Sequence, residues 1–431
     1  MTGTWESKLG AALRYGTAAL RYTWLVADAL KRFRRLYDLQ AAGQAWERPE
    51  HMLRSLDLYN YTQQSAYGFM QDWLVRPRRW WLWGGGPFSD EVAGAINRCN
   101  YNQHNEQLNA LAGLVSYGPA AYGNVWQIVG GNRQLVSGLL AESGATVHTA
   151  ARVTRVARLA DGKYLLAVTT GRPGSGDSGG GDVAREDGAR AGGGGSEAAR
   201  GQQPAERAPA QGGVEEMGYT QADTGASEGT DVREASTEEL GSAAASGSAD
   251  ADAGADCGGA SGAASSLLQP YQVTVTTLVA AAGLRPEYFG VAALPPASAV
   301  LVSDRATAPF SAISAKPVPA PAALGASATT AVAGNSSVGD GGYVYKVFSR
   351  EPLPPDLLSA LFRGEARVLA SRRWYAYPRF NPPERFVPFV LAPGLVYGNA
   401  LEPAASAMEM AAVAATNSAL LMVRHLQAAD E

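Results

Sequence analysis

The sequence predicts an α/β (α+β) protein, and three observations carry that expectation. The first 125 residues place apolar side chains at helical spacing, later stretches alternate in β-branched residues, and the chain closes on a long Ala-rich helix. At 431 residues with 46% hydrophobic side chains, the chain can bury a sizeable core in two lobes or in one large domain with insertions.

Thr4 is placed to cap a helix reaching about Gln40, with Leu9, Leu13, Leu20, Trp24, Leu30, Phe33 and Tyr37 recurring near helical spacing. Its basic face, Lys31, Arg32, Arg34 and Arg35, reads as a solvated helix end in preference to a membrane-surface patch. Residues 53–103 stay mostly helical, broken by RPRRWWLWGGGP, whose prolines and glycines do not suit a helix interior and predict a mobile loop. Trp80, Trp81 and Trp83 beside Arg76, Arg78 and Arg79 read as packing on a neighbouring helix, ahead of a nucleic-acid or headgroup patch. No nucleic-acid partner is expected.

A glycine pair then precedes an amphipathic helix, NRQLVSGLL, followed by short strands around an Asp161-Gly162 turn. Residues 171–266 are Gly, Ala, Ser, Asp and Glu with one aromatic, Tyr219, and are expected to be a disordered insert. From Gly171 to Ser265 there are 17 acidic residues against 6 Arg, so the rest of the chain carries about +7 although the total is −4. The sequence recovers with YQVTVTTLV and YVYKVFS as strands, then a strand, a loop and the closing helix over 386–431.

Few motifs carry chemistry by themselves. A GxGxxG formed by Gly174, Gly176 and Gly179 lies in the low-complexity stretch, without the strand and helix that the dinucleotide fingerprint needs. Gly130-Gly131 is better placed, because glycines at a helix start allow close approach of a ligand to backbone amides; a plain tight turn explains it equally well. Four scattered histidines and two unrelated cysteines, Cys99 and Cys257, give no metal spacing, hydrolytic triad or disulfide framework. Ala405, Ser406, Ala407 and Met408 open the last helix, where small residues suit packing more readily than an anion. No signal peptide and no spanning helix are expected from these residues.

Six blocks, INRCNYNQ, VWQIVGGNRQLVSGLL, YQVTVTTLV, YVYKVFS, WYAYPRFNPPE and ASAMEMAAVAATNSALL, stand in the order found in prenylcysteine oxidases, also called prenylcysteine lyases. The chain resembles that family over nearly all its length outside the insert. The resemblance implies an amine-oxidase-like FAD/NAD(P)-binding fold with a helical plus mixed-sheet substrate domain. It implies an FAD-dependent thioether oxidase that cleaves S-farnesyl- or S-geranylgeranyl-cysteine with O2 to cysteine, a prenyl aldehyde and hydrogen peroxide. On that chemistry, hydride leaves the isoprenoid carbon bonded to sulfur for the flavin, water adds, and the hemithioacetal collapses. No side-chain nucleophile is needed, and no catalytic residue is assigned.

By the same resemblance, residues 1–125 are a helical part of the substrate domain, 126–170 a re-entry into the flavin domain, 267–385 the substrate-domain sheet, and 386–431 the closing flavin-domain unit. Gly130, Gly131, Asn132, Val153, Asn399, Glu402, Ser406, Ala407, Met408 and Glu409 match cofactor-binding blocks. Trp374, Tyr375 and Tyr377 match an aromatic element expected to wall the substrate. Family members begin with a strand, GxGxxG and helix that have no counterpart in this sequence, and a later D.V..A.P strand is also unmatched. The chain is therefore expected to be an incomplete form, with a flavin-free prenyl- or lipid-binding protein as the alternative. The family setting implies lysosome or vacuole.

Overall fold

In the computed structural model, which describes residues 5–76, 84–122, 128–149, 151–170, 270–295, 297–317 and 343–430, the expected first helix is two. Helix α1 (Trp5–Tyr15) ends where Gly16 adopts φ +50°, and α2 (Ala18–Ala41) restarts two residues later. A glycine takes that left-handed turn without the Cβ penalty other residues meet. The glycines at 84–86 also depart from expectation, since Gly85–Phe88 forms a short helix. Gly84 and Gly85 lie so close to the Tyr15 and Leu74 backbones that neither has room for a Cβ. They let chains approach one another. The tryptophans at 80–83, the GxGxxG at 174–179 and the low-complexity insert lie outside the described residues.

Short helices then wrap a buried hub: α3 (Pro49–Ser55), α4 (Tyr59–Thr62), α5 (Ala66–Met70), α6 (Gly85–Phe88), α7 (Gly94–Tyr101) and α8 (Ala110–Tyr122), with π-helical turns at Gln71–Val75 and Ser89–Ala93. Tyr22 of α2, Phe88 and Tyr117 of α8 meet edge to face, with centroids 5.0 to 5.8 Å apart. Such aromatic contacts add to the area they bury. Beyond them come α9 (Arg133–Glu142) and a hairpin of β1 (Ala151–Arg158) and β2 (Tyr164–Thr170). No residue of α9 is buried.

The second lobe is a five-stranded sheet in the order β5 (Ala299–Leu301), β6 (Phe310–Pro317), β7 (Tyr343–Ser349), β3 (Tyr271–Ala281) and β9 (Arg367–Pro378). Every pair is antiparallel, whereas a mixed sheet was expected. Antiparallel pairing of this kind needs no βαβ crossover. A short pair, β4 (Gly283–Leu284) with β8 (Phe362–Arg363), and α10 (Pro355–Leu361) complete a separate core around Val279, Ile313, Tyr345, Val347 and Phe362. The architecture is α+β, helices and antiparallel sheet segregated.

The hairpin β10 (Val390–Ala392) and β11 (Leu395–Val396) leads to the closing helix α11 (Met408–Asp430). This unit shares the helical core: Phe389, Ala404, Met410 and Val413 pack with the residues of α2 and α8. Asn417 fixes it by a reciprocal pair of 2.9 Å hydrogen bonds with the Trp46 backbone, and Gln40 donates to the Val413 carbonyl at 2.8 Å. The closing unit thus packs in one core with residues of 1–125, apart from the core of the sheet.

Polar residues from INRCNYNQ join the two lobes. Arg98 donates to the carbonyls of Ser303 and Ala306 at 2.6 and 2.7 Å across the lobes, while Gln103, within the helical lobe, makes a reciprocal pair with the Phe380 backbone at 3.0 and 3.1 Å. These side chains are buried, so each is satisfied where it lies.

Candidate active site

The segment 397–407 descends to α11 in successive tight turns, with Ala400, Glu402 and Ala404 donating their N–H groups to the carbonyls of Tyr397, Asn399 and Leu401. Those turns bury Ala400, Leu401, Ala404 and Ala405 against the helical core. Gly398, Asn399, Glu402 and Ser406 are left facing a cavity of about 350 Å³. Tyr377 and the first turn of α11, with Met408 and Met410, complete it. The first N–H groups of a helix have no intrahelical acceptor and sit at its positive end, so this wall favours an electron-rich partner.

Glu402 is held in place. Tyr271 donates its hydroxyl to Oε2 at 2.5 Å and Ser406 donates to Oε1 at 3.0 Å. Burial first, then the bond to Glu402, pushes the Tyr271 phenol well above its ordinary range, so it remains a donor at neutral pH. Tyr101 supports the opposite wall: its hydroxyl reaches the Ser406 carbonyl at 3.2 Å, and its ring meets Tyr377 at 5.3 Å and Phe380 at 5.2 Å, both edge to face. Burial pushes the Tyr377 phenol up to about 12.

A second cavity of about 280 Å³ lies between α2, α8 and the start of α11, lined by Val26, Ala29, Phe33, Leu111 and Leu114. Its walls are almost wholly apolar. Met410 borders both cavities, so they meet across one flexible side chain. Glu409 is the charged residue of the apolar cavity, and Tyr37 donates to its Oε1 at 2.5 Å.

The structure thus brings together Asn399, Glu402, Ser406, Ala407, Met408 and Tyr377, all named from sequence, at one cavity. Glu409 lines the apolar cavity instead. Trp374 stands beside Tyr377, ring centroids 6.4 Å apart, and donates its indole N–H to Thr276 Oγ1 at 3.1 Å. A β-bulge explains how residues three apart share a face: Gln272 opposes Tyr377 and Val273 opposes Tyr375, leaving Ala376 as the extra residue. Tyr375 is 68% exposed and lines neither cavity, so the aromatic wall is narrower than the three rings expected.

Gly130, Gly131, Asn132 and Val153 line neither cavity. The glycines have φ +85° and +105°, Gly131 donates to the Ile128 carbonyl at 2.9 Å, and Asn132 Oδ1 accepts from the Ile128 N–H at 3.1 Å. The pair makes a tight turn closed on itself, which is one of the two readings its spacing allowed. Val153 is half exposed on β1. Sequence reasoning missed Tyr101, although INRCNYNQ contains it, because a tyrosine in a helical block gives no sign of the strand it will meet.

Among the described residues, no cluster of His, Cys, Asp or Glu could hold a metal ion, and no helix is long and apolar enough to cross a membrane. The chain is a two-lobed α+β protein with a polar cavity at a helix N-terminus beside an apolar one. It belongs to the prenylcysteine lyase family, whose description matches residues 4–178 and 260–431. It is 25% identical over 422 residues to a farnesylcysteine lyase of Arabidopsis thaliana, covering 97% of this chain and 64% of that relative. It is 24% identical over 421 residues to prenylcysteine oxidase 1 of Rattus norvegicus, covering 95% of this chain and 67% of the relative. Prenylcysteine oxidase 1 of Homo sapiens is 45% identical over 82 residues, 19% of this chain and 16% of that protein. The chain spans about two thirds of the length of the curated relatives it matches most fully.

Proposed function

We propose that this chain carries the isoprenoid slot and the ring-facing wall of an FAD-dependent thioether oxidase with the amine-oxidase-like fold. The reaction is oxidative cleavage of S-prenyl-cysteine, farnesyl or geranylgeranyl, in the breakdown of prenylated proteins. The observation that carries this reading is the meeting, at Met410, of an apolar cavity with a polar one at a helix N-terminus. An isoprenoid chain suits the first. A sulfur-bearing carbon at its end would lie where the two join.

The residues present suit the ring end of a flavin. A Cβ built at Gly398 meets nothing within 4 Å, so the polar cavity is open there, and Asn399 and Ser406 offer hydrogen bonds beside the α11 N-terminus. Asn399, Glu402, Ser406, Ala407 and Met408 would border the ring, whereas Gly130, Gly131, Asn132 and Val153 lie away from it and would concern the nucleotide end. When bound, the flavin supplies the two-electron acceptor that O2 then regenerates. The chain's own residues exclude water from the prenyl tail, set the carbon against the Tyr377 wall, and keep Glu402 oriented by Tyr271 and Ser406. The balance is thioether plus O2 plus water giving thiol, aldehyde and hydrogen peroxide. The carbon–sulfur bond breaks, sulfur keeps the electron pair and takes a proton, and the carbon becomes the carbonyl.

A lysosomal or vacuolar setting is part of the same reading and rests on the family alone. One feature favours the flavin-free alternative, a prenyl-binding protein: the apolar cavity is built by α2, α8 and α11 without any residue of 128–170. Purified chain incubated with FAD and S-farnesyl-cysteine distinguishes them. Retained yellow flavin with peroxide release is the expected result; a colourless protein that binds the farnesyl compound without peroxide supports the alternative.

A further inference from the structure

The apolar cavity has one carboxylate among its lining residues, Glu409. Glu409 lies in the first turn of α11 among the cavity's lining residues, and Tyr37 of α2 donates to its Oε1 at 2.5 Å. That leaves Oε2 as an acceptor at an otherwise apolar site. Burial and the bond to Glu409 push the Tyr37 phenol up to about 12, so the tyrosine stays protonated and acts as a fixed donor. Arg34, one turn before Tyr37 on α2, places a positive charge near the same hydroxyl. The Glu409 carboxylate therefore stands at the exposed edge of a slot that otherwise offers hydrocarbon, with the Arg34 charge acting on its Tyr37 partner.

An apolar tail carrying only an alcohol or a phosphate gains nothing from a carboxylate there, and an anionic head is repelled by it. A free amino acid bearing a lipid tail matches all three features: hydrocarbon inside, ammonium on Glu409, carboxylate towards Arg34. We propose that Glu409, positioned by Tyr37, is a specificity-determining residue that binds the α-ammonium of S-prenyl-cysteine and so selects the free amino acid over a prenylated peptide, whose nitrogen is an uncharged amide. The inference rests on the prenylcysteine reading of the site. Selection of this kind works by giving the right ligand an opposite charge that the wrong ligand lacks.

The alternative is a purely structural staple, in which the Tyr37–Glu409 bond only ties α11 to α2. Calorimetric titration of the full chain with S-farnesyl-cysteine, its N-acetyl derivative and its desamino analogue separates the two. The expected result is about tenfold tighter binding of S-farnesyl-cysteine than of the other two, ~1.4 kcal/mol, with Glu409→Gln erasing the difference and leaving the desamino analogue unaffected. Tyr37→Phe, which frees the carboxylate without removing it, should shrink the difference, and it serves as the test if Glu409→Gln fails to fold. Equal affinity for the three compounds in the unaltered chain, or a difference that survives Glu409→Gln, overturns the inference and leaves the prenylcysteine reading standing. Absence of binding by every farnesyl compound overturns both.

Discussion

At Asn109 three hydrogen bonds converge in a fully buried side chain. Nδ2 donates to Glu384 Oε1 and to the Pro403 carbonyl, both at 3.1 Å, and Oδ1 accepts from the Ala112 N–H at 2.8 Å. One amide thus starts α8, holds the buried Glu384 that ends WYAYPRFNPPE, and fixes the loop leading to the candidate site. Asn109→Ala is expected to cost about 1–3 kcal/mol, because it removes three hydrogen bonds among buried groups, although Glu384 keeps its bond from the Asn381 N–H. A fall in the denaturant midpoint measures it. At Gly94 an added Cβ would lie 2.6 Å from the Asp304 Cβ and 2.8 Å from Asn105 Nδ2. Gly94→Ala should therefore destabilise by about 1–3 kcal/mol through overpacking where the lobes meet. Thermal unfolding that left its midpoint unmoved would contradict this. Neither residue falls in the six sequence blocks, and the contacts that matter were not legible, since Glu384, Pro403 and Asp304 lie far along the chain.

At the scale of elements, α9, β1 and β2 form a unit whose apolar side chains find little cover among the described residues. Val136 and Leu139 of α9 and Val153, Leu165 and Val168 of the hairpin are each about half or more exposed. One bond, from the Tyr164 hydroxyl to the Pro393 carbonyl at 2.8 Å, reaches towards the closing hairpin. Local stability follows buried contact, so amide exchange in this unit should be complete long before α8 loses its protons. Equal protection of the two would show that the unit is held more firmly than its exposure implies. Leu139→Lys should correspondingly shift global stability by less than about 0.5 kcal/mol, as a surface change does. The helical periodicity of NRQLVSGLL was readable from sequence; whether anything packs on it was not. The β9 bulge is a second such case, because alternation alone puts residues two apart on one face, and the extra residue Ala376 is what lets Tyr377 line the cavity while Tyr375 stays exposed.

Across the whole molecule, buried phenols link stability to alkaline pH. Tyr22 and Tyr101 have their ionisation pushed far above the ordinary range by burial, and Tyr377 is pushed up to about 12. In the unfolded chain these groups ionise near 10, so the unfolded state gains free energy of deprotonation from about pH 10 while the native state does not. Their stabilising contribution is full below about pH 10 and is lost as pH rises towards the folded values. Denaturant midpoints should hold steady to about pH 9.5 and fall above it, and phenolate absorbance of these residues should appear together with unfolding. Free titration of every tyrosine near 10 with the fold intact would refute this burial pattern.

Sequence by itself determined the α+β class, the strand YVYKVFS, the long closing helix and, through six ordered blocks, the family. Those are properties of periodicity and residue type, which act locally and repeat along the chain. Tertiary structure alone decided that the closing helix shares the core of α2 and α8, that every strand pair is antiparallel, and that Met410 joins two cavities. It also placed Glu409 in the apolar cavity, away from the cluster of Asn399, Glu402 and Ser406. These outcomes depend on contacts between residues hundreds of positions apart, where a side chain's role is fixed by what faces it and not by its neighbours in sequence.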